Sequence, residues 1–153
     1  MSKLGESKVV PPEQEALAHG KLFRLEIVTP QKSGFSGYVE SFAAPGAMGG
    51  FQVLHDHAPL LTIISIGEVR LRDQGGNESI YSTSGGFVEV GNNNVTFLAN
   101  TIERKDEIDV ERAKAAKTRA EDRLRRKEHD TDIERARTAL ARATNRLRIA
   151  DAL

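Results

Sequence analysis

Residues 106–124 read DEIDVERAKAAKTRAEDRL, and this stretch divides the chain into two architectures. From Asp106 to the C-terminus there is no Gly and no Pro, whereas every Pro and every aromatic residue lies before position 109. Within the stretch, apolar residues recur at helical spacing and form a thin stripe: Val110, Ala113, Ala120 and Leu124. The composition and the spacing together predict that a helical unit begins here.

A second apolar stripe lies further along the chain, at alternating steps of three and four: Ile133, Ala136, Leu140, Ala143, Leu147 and Ala150. Asp109 and Asp132 precede the two stripes and are suited to cap helix N-termini, and the polar residues 125–131 predict a turn. We therefore predict an antiparallel two-helix hairpin. Because burial of an Ala side chain contributes little at about 25 cal/mol per Å², we expect this hairpin to be labile and to depend on its docking surface.

The segment before the hairpin alternates apolar and polar residues in short runs, and this period of two predicts strands. The runs are residues 21–28, 36–44, 50–54, 60–66, 68–72, 78–83, 87–90 and 95–99. Turn-forming residues separate them, as in Pro45-Gly46 and Gly75-Gly76-Asn77. Short strands without helical patterns between them favour an antiparallel β-sandwich or barrel.

Composition limits the remaining classes of protein. The chain has 153 residues, no Cys, and no apolar run near the length of about 18 residues that spans a bilayer, so we expect a soluble protein without disulfides. There are 9 basic and 13 acidic residues through Ile108, and 13 basic and 9 acidic residues from Asp109 onward. We divide the chain into a flexible tail (1–20), a sandwich (21–106) and a basic hairpin (107–153).

Two polar motifs are candidates for chemistry. His55-Asp56-His57 places two imidazoles beside a carboxylate, but no third ligand lies nearby, which favours a polar loop over a metal site. Ser84-Gly85-Gly86 lacks the context of a nucleophilic serine and is typical of a turn. Phosphate-binding loops and dinucleotide fingerprints are also absent from the sequence. We therefore predict no catalytic residues, no metal and no required cofactor.

The second predicted helix carries a basic surface made of five arginines: Arg135, Arg137, Arg142, Arg146 and Arg148. No acidic residue lies from Arg135 through Ala150, so this surface is expected to need an acidic partner outside its helix. An acidic protein surface and a nucleotide phosphate are both candidates. Neutral overall charge and 5% aromatic residues argue against nucleic acid.

Helical spacing also groups charged residues into two sets. Asp109, Arg112 and Arg119 lie near one line of the first helix, while Arg142 and Arg146 are one turn apart on the second. If the hairpin folds back, the two sets face each other, and guanidinium groups suit phosphate oxygens. Ordinary surface ion pairs explain the same spacing, so both interpretations stay open at this stage.

In order and spacing, six motifs resemble the epsilon-subunit family of bacterial F-type ATP synthases, over the chain from Leu22 onward. They are Val28-Thr29-Pro30, Phe35-Ser36-Gly37, His57-Ala58-Pro59-Leu60, Ser84 to Val90, Asn94-Val95-Thr96 and Ile108 to Ala113. The resemblance implies a β-sandwich of about ten strands followed by a two-helix C-terminal domain. This agrees with the periodicity.

The resemblance also implies a noncatalytic subunit of the rotor, or central stalk. In this family the sandwich binds the gamma subunit and rests on the ring of c subunits, which couples proton-driven rotation to ATP synthesis at the cytoplasmic face of the bacterial inner membrane. The helices lie on the sandwich or extend toward the alpha and beta subunits, and the extended form inhibits ATP hydrolysis. The implied protein is peripheral to the membrane and monomeric in isolation.

Some members of the family bind ATP in the folded form through an Ile/Leu-Asp-x-x-Arg-Ala motif, which here is Ile108 to Ala113. The resemblance assigns regulatory ATP contacts to Glu103, Asp109, Arg112, Arg119, Arg142 and Arg146. A free-standing ATP-sensing module is the alternative: the hairpin would clamp ATP with an affinity that depends on Arg112 and Arg142.

One loop departs from the family pattern. Gln52, His55 and Asp56 stand where Gly, Pro and Gly are usual, and Gly50 stands where an acidic residue is common. Since the resemblance directs this loop toward the c ring, we expect that contact to differ in detail.

Overall fold

The computed structural model describes residues 22–126 and 132–152. Nine strands come first: β1 (Phe23–Val28), β2 (Ser33–Gly46), β3 (Gly49–Val53), β4 (Leu60–Ile64), β5 (Gly67–Asp73), β6 (Glu78–Thr83), β7 (Gly86–Gly91), β8 (Asn94–Ala99) and β9 (Ile102–Arg104). A 3₁₀ turn over Lys105–Glu107 leads to the helices α1 (Val110–Arg126) and α2 (Ile133–Ile149). The predicted tail over residues 1–20 lies outside the described residues, as do residues 127–131 of the predicted turn.

The long strand β2 organises the sheet because it pairs with four other strands. Its first half lies antiparallel to β1, its second half pairs with β3 on one side and β5 on the other, and Gly46 pairs with Ile64 of β4. From β1 the sheet continues through β8, β7 and β4 back to β2, while β5 continues through β6 to β9. The β1–β8 pair is parallel and the other pairs are antiparallel. This sandwich-like sheet with its helical hairpin confirms the predicted fold class.

Alternate residues of the strands fill the core of the sandwich. In β1, for example, Leu25 and Ile27 are fully buried and Glu26 between them is exposed, as the period of two requires. The Phe42 ring centroid lies 6.1 Å from that of Phe97 and 6.5 Å from that of Phe51, which links three strands. Since complete burial of such a side chain contributes about 1.5–3 kcal/mol, the sandwich holds most of the apolar stabilisation.

Both helices begin at the predicted carboxylates. Oδ1 of Asp109 accepts a hydrogen bond of 3.0 Å from the Arg112 amide, and Oδ1 of Asp132 accepts one of 3.0 Å from the Arg135 amide. In α1 the buried residues are Ala113 and Ala120, whereas α2 buries Ala136, Ala143, Asn145, Leu147 and Ile149. Helix α2 packs against α1 and also against β5 and β6. The hairpin therefore docks on the sandwich through α2.

The structure differs from the predicted elements in several places. The prediction of a turn at Pro45-Gly46 is wrong, because β2 continues through both residues and they pair with Gly50 and Gly49 of β3. Strand β9 is absent from the prediction because three residues are too short to show a period; it pairs with β6. The strand predicted over residues 60–66 ends at Ile64, and the Ser65 amide donates to the Pro45 carbonyl. The prediction that Arg125 and Arg126 belong to a turn is wrong, because α1 continues through both residues and Arg125 pairs with Asp122 at 3.0 Å.

Candidate subunit interface and regulatory cluster

The outer face of β1, β8, β7 and β4 carries an apolar row of cross-strand neighbours. Ile63 of β4 is opposite Phe87 of β7, Phe87 is opposite Leu98 of β8, and Leu98 is opposite Val28 of β1. The exposed fractions are 63% for Ile63, 53% for Leu98 and 37% for Phe87. We name these four residues the outer row. A contiguous exposed apolar surface of this kind marks a site of protein–protein contact.

Acidic residues border the outer row along the same face of the sheet. The neighbouring cross-strand row runs through Leu61, Glu89, Thr96 and Glu26, and both glutamates are exposed. Leu61 is 64% exposed and widens the apolar surface at β4. The face therefore suits a partner that presents apolar side chains flanked by Lys or Arg.

The hairpin and the sandwich meet at a pair of the sequence-predicted site residues. Oε2 of Glu103 in β9 accepts a hydrogen bond of 2.8 Å from Nε of Arg146 in α2. A second ion pair joins the same two regions, since Nζ of Lys105 lies 2.7 Å from Oδ2 of Asp151. The structure thus brings Glu103 and Arg146 together and ties the end of α2 to the linker between the domains.

The other predicted contact residues are arranged differently. The Asp109 carboxylate binds the backbone amide of Arg112 and not its guanidinium. Arg112, Arg119 and Arg142 are exposed, and their guanidinium groups form no ion pair within residues 22–126 and 132–152. These three arginines are therefore available to an anion, whereas Arg146 already has a carboxylate partner.

The expectation that α2 cannot neutralise its own arginines is wrong in part. Nη1 of Arg137 lies 3.0 Å from Oε1 of Glu134, one turn earlier, because the helix begins two residues before Arg135. Nη2 of Arg148 donates to Oδ1 of Asn145 at 3.0 Å. Together with the Glu103 pair, these contacts leave a smaller basic surface than the sequence indicates.

The His55-Asp56-His57 motif forms part of a polar loop between β3 and β4. Asn93 in the β7–β8 turn holds this loop: its Nδ2 lies 3.3 Å from His55 Nε2 and 3.0 Å from Asp56 Oδ1, and its Oδ1 accepts from the Asp56 amide at 2.7 Å. Nδ1 of His57 lies 2.6 Å from the Ala58 carbonyl. Among the described residues, no group of three or more His, Cys, Asp or Glu side chains is arranged to hold a metal ion.

Two features of the candidate interface are not predicted from the sequence. The first is the outer row, whose only signal is that residues 60–64, which read LLTII, place apolar residues on both faces of β4. The second is Asn145, a buried polar residue on the side of α2 that faces β5 and β6. Ile149, one turn after Asn145, is buried too and lies outside the predicted stripe.

Comparison with known proteins decides the family. Residues 22–105 match the family described as "ATP synthase, Delta/Epsilon chain, beta-sandwich domain", and residues 106–151 match "ATP synthase, Delta/Epsilon chain, long alpha-helix domain". The chain belongs to the ATP synthase delta/epsilon family. This membership confirms the resemblance found in the sequence and, with it, the role of a rotor subunit of ATP synthase.

Relatives in the delta/epsilon family are similar over most of their length. The ATP synthase epsilon chain of Desulforamulus reducens is 51% identical over 107 residues, which are 70% of this chain and 80% of the relative. The epsilon chain of Pelotomaculum thermopropionicum is 51% identical over 107 residues, covering 70% of this chain and 79% of the relative. That of Salinibacter ruber is 44% identical over 108 residues, covering 65% and 72%.

Two solved structures show the same fold. A chain in the Euglena gracilis mitochondrial ATP synthase (OSCP/F1/c-ring, rotational state 1) matches with a TM-score of 0.65 and 17% identity, covering 99% of this chain and 85% of that chain. A chain in the Tetrahymena thermophila mitochondrial ATP synthase (central stalk/c-ring) matches with a TM-score of 0.56 and 11% identity, covering 83% of this chain and 95% of that chain.

Neither helix in the described part of the delta/epsilon chain has the length and apolar character needed to cross a membrane.

Proposed function

We propose that this chain binds the gamma subunit, rests on the c ring, and inhibits ATP hydrolysis through its C-terminal hairpin. In this proposal residues 21–106 form the coupling sandwich, residues 107–153 form the regulatory hairpin, and the subunit has no active site of its own. Its place is the cytoplasmic side of the bacterial inner membrane, where it is peripheral through the complex and couples proton-driven rotation to ATP synthesis. The observation that carries the proposal is a hairpin docked on the sandwich by few contacts.

The gamma subunit is the proposed partner of the outer row. Ile63, Phe87 and Leu98 offer apolar side chains to solvent, and Glu26 and Glu89 offer negative charge beside them. A subunit that must stay attached during rotation requires a contact with a desolvated apolar centre and a charged rim. We expect gamma to fill the outer row with apolar residues and to place basic residues near the two glutamates.

The c ring is the proposed partner of the sandwich end that carries the β3–β4 loop. Hydrogen bonds between the Asn93 side chain and residues His55 and Asp56 hold this loop on the β7–β8 turn. Asp56, Asn92 and Asn93 adopt positive φ values, which fix both turns in tight conformations. A loop held in this way is rigid enough to transmit force between the ring and the sandwich.

The hairpin is proposed to alternate between the docked form and an extended form that reaches the alpha and beta subunits. The ion pairs that dock it are partly exposed, and such pairs contribute at most about 1 kcal/mol each. The buried residues of α1 are alanines, which contribute little apolar burial. The two forms can therefore differ by only a few kcal/mol, as a switch requires.

ATP is the proposed ligand of the docked form. The exposed guanidinium groups of Arg112, Arg119 and Arg142 are unpaired in the described chain and suit phosphate oxygens. Glu103 and Arg146 complete the proposed set from the sandwich and α2, and Asp109 orients the start of α1. A ligand that binds only the docked form stabilises it by mass action and relieves the inhibition.

Replacing Arg112 with Ala is expected to weaken ATP binding at least about tenfold, because a charge-assisted hydrogen bond to phosphate is lost. Calorimetric titration of the full chain with ATP measures the affinity. Lys114→Ala is the matched control, since Lys114 is an exposed cation of the same helix that pairs with Glu111. Equal ATP affinities for the two variants would remove Arg112 from the site.

A further inference from the structure

Asn145 is the polar residue at the centre of the contact between the hairpin and the sandwich. Its side chain is 7% exposed. Nδ2 donates to the Gly67 carbonyl of β5 at 2.9 Å and lies 3.1 Å from Oγ of Ser82 in β6, while Oδ1 accepts from Arg148. Both the nitrogen and the oxygen of the amide group therefore have hydrogen-bond partners, and the nitrogen binds two neighbouring strands.

The partners of Asn145 and Arg146 are themselves neighbours in the sheet. Ser82 of β6 is directly opposite Glu103 of β9. Asn145 contacts Ser82, and the next residue of α2, Arg146, contacts Glu103. Two consecutive helix residues therefore bind two paired strand residues. Both contacts can form together in only one register of α2 on the sheet.

A buried amide defines that register better than an apolar side chain would. Apolar contacts such as that of Ile149 are nondirectional and tolerate small rotations or shifts of the helix. The Nδ2 donors are paired only when α2 is docked in this register, and a buried donor left unpaired costs about 1–3 kcal/mol. When the hairpin leaves the sandwich, water solvates the amide, so the contact is specific and reversible.

We propose that Asn145 is a positioning residue that fixes the docked register of α2. In that register Arg146 pairs with Glu103. Arg142, one turn earlier on α2, is then positioned as one of the proposed ATP contacts. The inference rests on the proposed function of the hairpin, because it names the contact through which the docked form is recognised. Loss of the Asn145 side-chain hydrogen bonds to Gly67 and Ser82 shifts the hairpin toward the extended, inhibitory form.

Hydrogen–deuterium exchange of the full chain tests the positioning role. Asn145→Ala is expected to speed amide exchange in α2 at least about tenfold, with exchange in β1 and β8 unchanged. Thr144→Ala is the matched control, since Thr144 is a half-buried neighbour whose side chain forms no hydrogen bond within the described residues. Equal α2 exchange in the two variants would overturn the proposal.

A spectroscopic signature separates positioning from general helix stability. The NMR signal of the Arg146 Nε–H group reports its hydrogen bond to Glu103. We expect this signal to broaden or shift to the position of free guanidinium groups in Asn145→Ala and to persist in Thr144→Ala. A signal that persists in both variants would show that Arg146 finds Glu103 without Asn145, which would also overturn the proposal.

The sign of the functional effect distinguishes the inference from the proposed function. In an ATP synthase complex reassembled with Asn145→Ala, ATP hydrolysis is expected to be inhibited more strongly than with the unsubstituted chain. A misfolded variant would do the opposite, because it would fail to bind gamma. Faster α2 exchange with unchanged hydrolysis would contradict the regulatory function and leave the positioning role standing.

Discussion

Replacing Ile63 with Asp is expected to weaken binding to the gamma subunit at least about 100-fold. Ile63 lies in the outer row opposite Phe87 and is 63% exposed, so the substitution leaves the core of the sandwich unchanged. In the complex, however, the new carboxylate would be desolvated against an apolar partner without a counter-charge. Placing a charge in such a surface carries a cost of several kcal/mol.

The affinity of the purified chain for isolated gamma subunit measures this effect. Calorimetry, or surface plasmon resonance with immobilised gamma, determines it. Leu54→Asp is the matched control, because Leu54 is a 52% exposed apolar residue that lies after β3 and outside the outer row. We expect Leu54→Asp to bind gamma within a few-fold of the unsubstituted chain. Similar losses for both variants, or no loss for Ile63→Asp, would contradict the assignment of the outer row.

Replacing Gly86 with Ala is expected to lower the free energy of unfolding of the sandwich by about 3 kcal/mol or more. Gly86 begins β7 with a φ of 148°, a conformation that L side chains rarely adopt. A Cβ at this position would lie 2.1 Å from the Leu98 carbonyl oxygen and 2.9 Å from the Ala99 Cα. Because backbone atoms form the obstacle, the β7–β8 pairing must open to accept the methyl group.

Denaturant unfolding of the full chain, monitored by circular dichroism, measures the loss. Gly91→Ala is the matched control at the other end of β7, because a Cβ there meets no atom within 4 Å. We expect the control to change stability by less than about 1 kcal/mol. Equal stabilities for the two variants would show that the β7–β8 pair relaxes more easily than its backbone contacts indicate.

The sequence predicts the positions of strands wherever turn residues mark the ends of a run. The run over residues 78–83 matches β6 residue for residue, since the turn residues Gly75-Gly76-Asn77 before it and Ser84-Gly85 after it mark both ends. Strand β9 has three residues, and its existence depends on pairing with β6. Such a strand is determined by tertiary contacts that no local pattern records.

Helix ends show the same division between local and tertiary information. Asp109 and Asp132 are predicted as caps because capping depends on residues within one turn, and both carboxylates accept the expected amide. Arg125 and Arg126 look like turn residues because they are polar. They are helical because the exposed side of a helix needs no apolar residue.

The exposed apolar face and the contacts of Asn145 are harder to predict from the sequence, because both depend on the folded structure. The strand predicted over residues 60–66 has apolar residues on both faces where it forms β4 (Leu60–Ile64), but the pattern cannot say that one face stays open to solvent. The partners of Asn145 are 78 and 63 residues away, at Gly67 and Ser82. The contact that docks the hairpin is therefore visible only once the chain has folded.

Family resemblance identifies the charged residues but not their pairing. Glu103 and Arg146 belong to the ATP-contact set implied by the resemblance, and the structure pairs them with each other across the two domains. In the described chain Arg112, Arg119 and Arg142 are left available to a ligand. The structure thus separates a docking pair and a helix cap, Asp109, from three arginines without an ion-pair partner in the described chain. Spacing on a helix cannot reveal this separation.

The most direct test of the inhibitory rotor function is ATP hydrolysis by a bacterial F1 complex that lacks its delta/epsilon family subunit. The rate is measured with and without the full chain. We expect the chain to be recovered on gamma and to lower the rate several-fold, with partial relief when the chain is first incubated with ATP. Identical rates with and without the chain, together with no recovery on gamma, would contradict the proposed function.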